Sequence, residues 1–143
     1  MTKSAGTILG DIYDAWRAQD LELLASYLPN DFCHVVHIPT EIHPLGGHCE
    51  GKKAALERLR VIATEFDFLR FDTSELLIDK NRAAVEIPIR YRHRGIGAVL
   101  ETKIVNFWTL EEGWPVKLTE YHDIGRIQDF TNTMAGLAPP AGA

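Results

Sequence analysis

Glu120 and His122, near the end of the sequence, have the types and the spacing to move a proton. Side chains two residues apart in a β-strand lie on the same face, so the carboxyl and the imidazole are neighbours if this segment is a strand. A carboxyl group among apolar side chains is poorly solvated, which makes it useful as a general base or acid near neutral pH. We therefore predict acid–base chemistry, with Glu120 as the base and His122 sharing or relaying the proton.

The segment 106–123 predicts the hairpin that positions this pair. Gly113 and Pro115 interrupt two runs rich in apolar residues, as expected for strands joined by a tight turn. A turn centred on Gly113 would place Asn106 opposite Glu120, where the amide could donate to an enolate or hold a water. The same register pairs Ile104 with His122 and Trp108 with Leu118.

Both faces of the first strand of this hairpin are apolar, so periodicity leaves two orientations open. In one, Glu120, His122 and Asn106 face an apolar pocket. In the other they face solvent, and the alternating residues Val105, Phe107 and Tyr121 are buried. The inward orientation predicts that Glu120 titrates above its ordinary pKa, and that activity or ligand binding changes between about pH 5 and 7.

The rest of the chain predicts an α+β fold, with helices on one side of a curved, mostly antiparallel sheet. Apolar residues at intervals of three and four indicate helices over 7–18, 21–28 and 52–66, and β-branched or alternating runs indicate strands over 32–38, 68–78, 83–94 and 98–110. Residues 39–50, rich in Gly, Pro and His, are expected to form a loop. A brief closing helix is expected over 124–134, followed by a disordered tail over 135–143.

The chain of 143 residues is long enough for one domain, which we place at residues 1–134. Its net charge of −5, with basic residues scattered among acidic ones, argues against a nucleic-acid partner. No apolar run is long enough to span a bilayer, so we expect no membrane association. Residues 1–15 lack the pattern of a secretory signal, so we expect a cytoplasmic location and a small molecule as the partner.

Cys33, Cys49 and four histidines between positions 34 and 48 raise the question of a metal site. The cysteines stand in no C-x-x-C pattern and are too few for a disulfide framework, so we expect two reduced thiols. No histidine spacing matches a zinc pattern, and no acidic residue completes a facial triad nearby. We therefore expect no metal.

Three local matches, in order along the chain, resemble the SnoaL-like and ketosteroid-isomerase-like branch of the nuclear transport factor two-like superfamily. They are the opening helices (13–21, YDAWRAQDL), the segment before the long helix (44–51, PLGGHCEG) and the end of the last strand (120–123, EYHD). The resemblance covers about residues 7–130. It implies a cone, or cystatin-like α+β roll, in which a bent sheet packs on three helices from the N-terminal half around an apolar pocket, and it implies no cofactor.

The functional residues of this superfamily map unevenly onto the sequence. The oxyanion-binding tyrosine and aspartic acid of the steroid isomerases match Ile12 and Asn106, and their proton-transferring aspartate matches Val36, next to His37. Steroid isomerisation by that constellation is therefore not expected.

The acidic residues at the end of the last strand match those of the superfamily more closely. Of the aspartate, arginine and aspartate of the limonene epoxide hydrolases, matched by Asn106, Ile104 and Glu120, only the last keeps its acid. The acid of the SnoaL-type cyclases resembles Asp123 or Glu120. The candidate catalytic residues are thus Glu120, His122, Asn106 and Asp123, and the predicted pocket lining is Trp16, Val36, His37, Tyr91, Ile104, Trp108 and Leu118.

These patterns favour a cofactor-free acid–base enzyme, an isomerase, cyclase or hydrolase, acting on a small hydrophobic molecule with a carbonyl or an epoxide. The alternative is a non-catalytic ligand-binding or dimerisation module of the same fold, because a fold does not fix a function. A Glu120 locked in a structural ion pair would favour the alternative. A homodimer is expected, because the inward orientation leaves Val105, Phe107, Tyr121 and Arg90 on an outer face that a second copy would cover.

Overall fold

The computed structural model describes residues 3–137, which form four helices and seven strands. In chain order these are α1 (Ala5–Arg17), α2 (Leu21–Ala25), β1 (Cys33–His37), β2 (Gly47–Glu50), α3 (Lys52–Glu65), β3 (Phe66–Phe71), β4 (Leu77–Asp79), β5 (Arg82–His93), β6 (Val99–Glu111), β7 (Trp114–His122) and α4 (Ile124–Leu137). No helix in this part of the chain is both long and apolar enough to cross a membrane.

The strands form one curved sheet that does not close. Its strand order is β2-β1-β7-β6-β5-β3, with β4 also paired to β5. The β1–β7 pair is parallel, and the other pairs are antiparallel. The predicted α+β roll, a mostly antiparallel sheet packed on helices, is confirmed.

Alternation along β5 and β6 explains why the helices pack on one face of the sheet, which we call the inner face. The buried positions of these strands are Ala83, Val85, Ile87, Ile89 and Tyr91 on β5, and Thr102, Ile104, Asn106, Trp108 and Leu110 on β6. Ile8 and Leu9 of α1, at most 1% exposed, belong to the same core. Burial of each large apolar side chain among them contributes about 1.5–3 kcal/mol, so this face fixes which side chains surround any cavity.

Side-chain caps fix the start of the first two helices. The Ser4 hydroxyl accepts a hydrogen bond from the Thr7 N–H at 3.2 Å, and the Asp20 carboxylate accepts one from the Leu23 N–H at 3.1 Å. Between the helices the chain reverses at Gln19, whose φ is +57°. With its start and end defined in this way, α1 directs Tyr13 towards the inner face.

The β6–β7 hairpin has the predicted register. Asn106 lies opposite Glu120, Ile104 opposite His122, and Trp108 opposite Leu118. Glu112 and Gly113 form the two-residue turn with φ values of +51° and +83°, a conformation that matches the right-handed twist of the strands. Asn106 is 4% exposed, whereas Phe107 is 39% exposed, so the inward orientation is the one adopted.

The structure differs from the prediction in two segments, the loop expected over 39–50 and the strand expected over 68–78. The segment 39–50 was expected to be a loop, but its last four residues form β2, which pairs with β1. Its sequence, GHCE, carries no apolar alternation, and pairing with β1 is what makes it a strand. The predicted strand 68–78 is two strands, since β3 starts directly after α3 and ends at Phe71, and β4 begins at Leu77.

The closing helix is longer than predicted. It continues through Leu137, so residues 135–137 of the expected disordered tail are helical. The other tail residues, 138–143, lie outside the described part of the chain. Ile127 of α4, 5% exposed, packs with Val36 and Ile38, and this apolar contact holds the helix against the sheet.

Two glycines with open space around them provide a matched test of the hairpin turn. A Cβ added at either Gly113 or Gly10 would meet no atom within 4 Å. Gly113→Ala should lower the free energy of unfolding by about 1–2 kcal/mol, because φ is +83° and the left-handed region disfavours a Cβ. Gly10→Ala should raise it by about 0.5–1 kcal/mol, because Gly10 lies within α1. Urea unfolding measures both, and equal effects of the two changes would contradict the turn geometry.

Candidate active site

A cavity of about 160 Å³ lies between the inner face of the sheet and the helices. Its walls are mainly apolar and include Ile12, Trp16, Leu59, Ile62, Phe71, Ile87, Ile89, Ile104 and Leu118. His43 and Leu45, from the segment between β1 and β2, and Ile127 and Phe130, from α4, complete the lining. A few polar side chains converge in this apolar space, which is the pattern of small-molecule sites.

Glu120 stands between two histidines on the cavity wall. Its Oε1 lies 2.9 Å from Nε2 of His34, and its Oε2 lies 3.2 Å from Nε2 of His122. The side chains of His34, His122 and Glu120 are 2%, 9% and 17% exposed. We call these three residues the His–Glu–His cluster. Parallel pairing of β1 with β7 brings His34 to this place, because it sets His34 opposite Leu118 and Val36 opposite Glu120.

The cluster reverses the pKa shift expected for Glu120. Burial raises the pKa of this carboxyl, as the sequence suggested, but the charge of His34 and hydrogen bonds from His122 and His34 act in the opposite direction. The net effect places the pKa below its ordinary value of 4.5. The predicted rise was wrong, because it counted the desolvation of Glu120 without the second imidazole.

A second polar group is centred on the Tyr13 hydroxyl. Its oxygen accepts a hydrogen bond from the Asn106 amide at 2.7 Å and another from the Trp108 indole N–H at 2.8 Å. Burial raises the pKa of Tyr13, so the phenol keeps its proton. With two donors on its oxygen, the hydroxyl has its own proton to donate. The amide oxygen of Asn106 is buried and has no hydrogen-bond partner among residues 3–137.

Most of the residues predicted for the site do line this cavity. They are Glu120, His122, Asn106, Trp16, Val36, Tyr91, Ile104, Trp108 and Leu118. The Trp16 indole also donates a hydrogen bond to the Tyr91 hydroxyl at 3.3 Å, which ties the two aromatic walls together. Roles for these residues in binding or catalysis remain predictions.

His37 and Asp123, also predicted for the site, lie elsewhere. His37 is exposed on the outer face of the sheet, where its ring stacks on Tyr121 at 4.3 Å, because it alternates with the inward Val36. Asp123 follows the end of β7 and caps α4, accepting a hydrogen bond from the Arg126 N–H at 3.2 Å. Neither side chain reaches the cavity, so the structure does not bring these two residues together with the other candidates.

Sequence reasoning missed His34 and Tyr13. His34 shares a face with Val36 on β1, which was the signal that could have included it, but its contact with Glu120 depends on a strand pairing between distant parts of the chain. Tyr13 is four residues after Leu9 and three before Trp16, so helical spacing would have placed it on the buried side of α1. Ile12, matched to the isomerase tyrosine, lines the cavity without a hydroxyl.

Comparisons with known proteins agree on the fold. The SnoaL-like domain family matches residues 9–121. An NTF2-like protein of unknown function from Burkholderia pseudomallei is 20% identical, over 97% of this chain and 100% of that chain, with a TM-score of 0.76. TerC co-crystallised with polyporic acid is 19% identical, over 90% and 98% of the two chains, with a TM-score of 0.78.

An epoxide hydrolase gives a more distant match. The LEH-like epoxide hydrolase of M. tuberculosis is 11% identical, over 90% of each chain, with a TM-score of 0.71. At such identities the likeness concerns the fold alone. No curated protein sequence matched this chain. The family match over most of the chain, together with the curved sheet and its helices, shows that the protein belongs to the SnoaL-like family of the NTF2-like superfamily.

Proposed function

We propose that this protein is an acid–base enzyme of the isomerase or cyclase type, acting on a small hydrophobic molecule that contains a carbonyl group. The observation that carries the proposal is the presence of two polar groups on one apolar cavity. The His–Glu–His cluster can move a proton, and the Tyr13 hydroxyl can donate a hydrogen bond to an oxygen that gains negative charge. The proposed chemistry uses side chains of this chain alone.

Histidine, rather than Glu120, takes the role of base in this proposal. A carboxyl whose pKa is lowered is a weak base near neutral pH, but its carboxylate orients an imidazole and stabilises the imidazolium. When Nε2–H of His122 donates to Glu120, Nδ1 has a lone pair that can take a proton. This Nδ1 is buried and has no hydrogen-bond partner among residues 3–137, so a substrate reaches it only when the side chains that cover it move. We assign the base to His122 because its side chain is less enclosed than that of His34.

The proposed reaction begins with removal of a proton from the carbon next to the carbonyl. The proton passes to Nδ1 of His122, and the electron pair of the C–H bond moves onto the carbonyl oxygen to give an enolate. Tyr13 stabilises that enolate by donating its hydroxyl proton in a hydrogen bond. Return of the proton from His122 to a different carbon gives an isomer. Attack of the enolate carbon on a second carbonyl instead closes a ring, and the alkoxide that forms takes the proton from His122.

The cavity limits the size and polarity of the molecule. Its volume of about 160 Å³ is close to that of an engineered apolar cavity, about 150 Å³, that binds benzene, so a single ring fits without rearrangement. Apolar walls favour a neutral ligand, and the polar groups would engage one carbonyl. The presence of polyporic acid with TerC supports a small organic ligand for a protein of this fold.

The second candidate function is ligand binding without catalysis. The specific observation in its favour is the double contact of Glu120 with His34 and His122, which could serve only to hold β1 against β7. In that case the cavity would bind a small hydrophobic molecule, and no bond would change. Binding and turnover must therefore be measured separately.

Exchange of carbon-bound hydrogen provides the test of catalysis. Small cyclic ketones such as cyclohexanone and cyclohex-2-enone are first screened for binding by thermal shift. The ketones that bind should exchange their α-hydrogens for deuterium in D2O, and proton NMR measures the rate of this exchange. His122→Asn should lower the exchange rate at least about 100-fold, and Tyr13→Phe by about 10- to 100-fold, while binding persists. His37→Asn, a change of an exposed imidazole, is the matched control and should exchange as the wild type does.

The outcomes separate the two candidate functions. Ketones that bind without exchange in the wild type would favour the binding module. Full exchange by His122→Asn would remove His122 from the mechanism.

The ionisation of Glu120 gives a second test, because the direction of its pKa shift shows whether burial or the two neighbouring imidazoles dominate. Carbon-13 NMR of labelled protein should show the Glu120 carboxyl titrating below 4.5, with Glu120→Gln identifying the signal. The stabilisation linked to this ionisation should be complete above 4.5 and lost as pH falls through the lower value in the folded protein. A midpoint above 4.5 would show that burial outweighs the two imidazoles.

We also propose that the protein forms a homodimer through the outer face of the sheet. Phe107 and Tyr121 are 39% and 44% exposed there, with their rings edge to face at 5.7 Å. His37 stacks on the other side of Tyr121, so the three rings form a continuous aromatic surface. A second copy would remove this surface from water.

Substitution on this aromatic surface tests association. Phe107→Asp should give monomers at micromolar concentration, because two carboxylates would be buried in a symmetric contact. Leu23→Asp is the control: Leu23 is 46% exposed on α2, away from the outer face. Sedimentation velocity measures both variants and the wild type. A wild-type monomer at these concentrations would rule out the proposed dimer.

A further inference from the structure

We propose that Cys33, His48 and Glu50 form a zinc site on the outer face of the sheet, at its β1–β2 edge. One ligand atom from each side chain, a thiol sulfur, an imidazole nitrogen and a carboxylate oxygen, lies within 4.8 Å of the others. This proposal departs from the expectation of no metal, because residues that stand 15 and 17 positions from Cys33 in sequence become its neighbours through strand pairing.

The strand register places the three side chains together. Cys33 lies directly opposite Glu50 in the antiparallel β1–β2 pair, and His48 is opposite Val35, two residues from Cys33. Residues paired in this way share a face, so the three side chains all point outward. The intervening residues, His34 and Cys49, are buried on the inner face. Both strands are hydrogen-bonded in one sheet, which holds the Cα positions of the ligands in place without metal.

The distances suit tetrahedral zinc with little adjustment. Sγ of Cys33 lies 3.5 Å from Nε2 of His48. Zinc bonds of about 2.3 Å to sulfur and about 2.05 Å to nitrogen, at a tetrahedral angle, set these atoms about 3.6 Å apart. Oε1 of Glu50 is 2.7 Å from the same nitrogen, as in a hydrogen bond. If both atoms bound the same zinc ion, they would lie about 3.4 Å apart. The Glu50 side chain is 75% exposed and is free to move by that difference.

The donor set favours zinc over magnesium and calcium. Thiolate and imidazole together select zinc over magnesium and calcium, which take oxygen ligands. His48 and Glu50 are 54% and 75% exposed, so a fourth position is open to water. Zinc binds the thiolate form of cysteine, so metal binding displaces the Cys33 thiol proton into solvent as the Zn–S bond forms.

Metal at this position would join β1 to β2, at the edge of the sheet. Arg58 of α3 donates a hydrogen bond to the Gly47 carbonyl at 3.0 Å, so β2 is already attached to the helical layer. Zinc would add a second attachment, next to the strand that carries His34. The site is on the opposite face from the cavity, and its occupancy does not depend on the proposed catalysis.

Cobalt(II) and zinc titrations test the site directly. Full-length protein, treated with EDTA and kept reduced with a phosphine, is titrated with Co²⁺, whose thiolate complexes give a charge-transfer band in the near ultraviolet. We expect one Co²⁺ per chain, displaced by Zn²⁺, and X-ray absorption of the zinc form showing one sulfur ligand at about 2.3 Å. A hundredfold excess of Zn²⁺ over its Kd should raise Tm by about 5–10 °C.

Variants identify the ligands. Cys33→Ser should abolish the charge-transfer band, and His48→Ala and Glu50→Gln should weaken zinc binding at least about tenfold. The controls are Cys49→Ala, on the inner face, and His37→Ala, an exposed imidazole of the outer face, and both should bind as the wild type does. All variants are first compared with the wild type by circular dichroism. Absence of a charge-transfer band in the wild type, or its persistence in Cys33→Ser, would overturn the proposal.

Discussion

The parallel pairing of β1 with β7 is the contact on which the candidate active site depends. It joins a strand from the first third of the chain to the last strand, and it sets Val36 opposite Glu120. His34 then reaches the carboxylate from one side, while His122 reaches it from the other. Without this pairing Glu120 would be a carboxyl buried beside a single imidazole, and burial would govern its ionisation. The second imidazole reverses the direction of the Glu120 pKa shift, and it therefore changes the role that Glu120 can have.

Some of the buried polar groups around this cavity have hydrogen-bond partners, and others do not. Glu120 and the oxygen of Tyr13 each receive two hydrogen bonds, which offsets the cost of removing them from water. Within residues 3–137, the Nδ1 atoms of His34 and His122 have no hydrogen-bond partner. A buried polar atom without a partner is costly, and a water molecule or a ligand can supply the missing hydrogen bond.

The two faces of the sheet carry different sets of functional side chains, although these residues alternate along the same strands. On β1 and β2 the inner face has His34 and Cys49, and the outer face has Cys33, His48 and Glu50. One residue along the chain thus separates a buried imidazole in the cavity from a thiol at the surface. A slip of one residue in the β1–β2 register would turn His48 and Glu50 to the inner face, so this register assembles the proposed zinc ligands.

Local signals in the sequence determined the α+β fold, the start of the second helix at Leu21 and the register of the β6–β7 hairpin, because each depends on residues close together in the chain. The sequence could not determine which face of β6 is buried, since both faces are apolar and only packing against α1 decides between them. It could not anticipate the link from His34 to Glu120, the hydroxyl of Tyr13 between Asn106 and Trp108, or the position of His48 beside Cys33. Those contacts join residues 15 to 95 positions apart, and tertiary structure alone brings them within hydrogen-bonding distance.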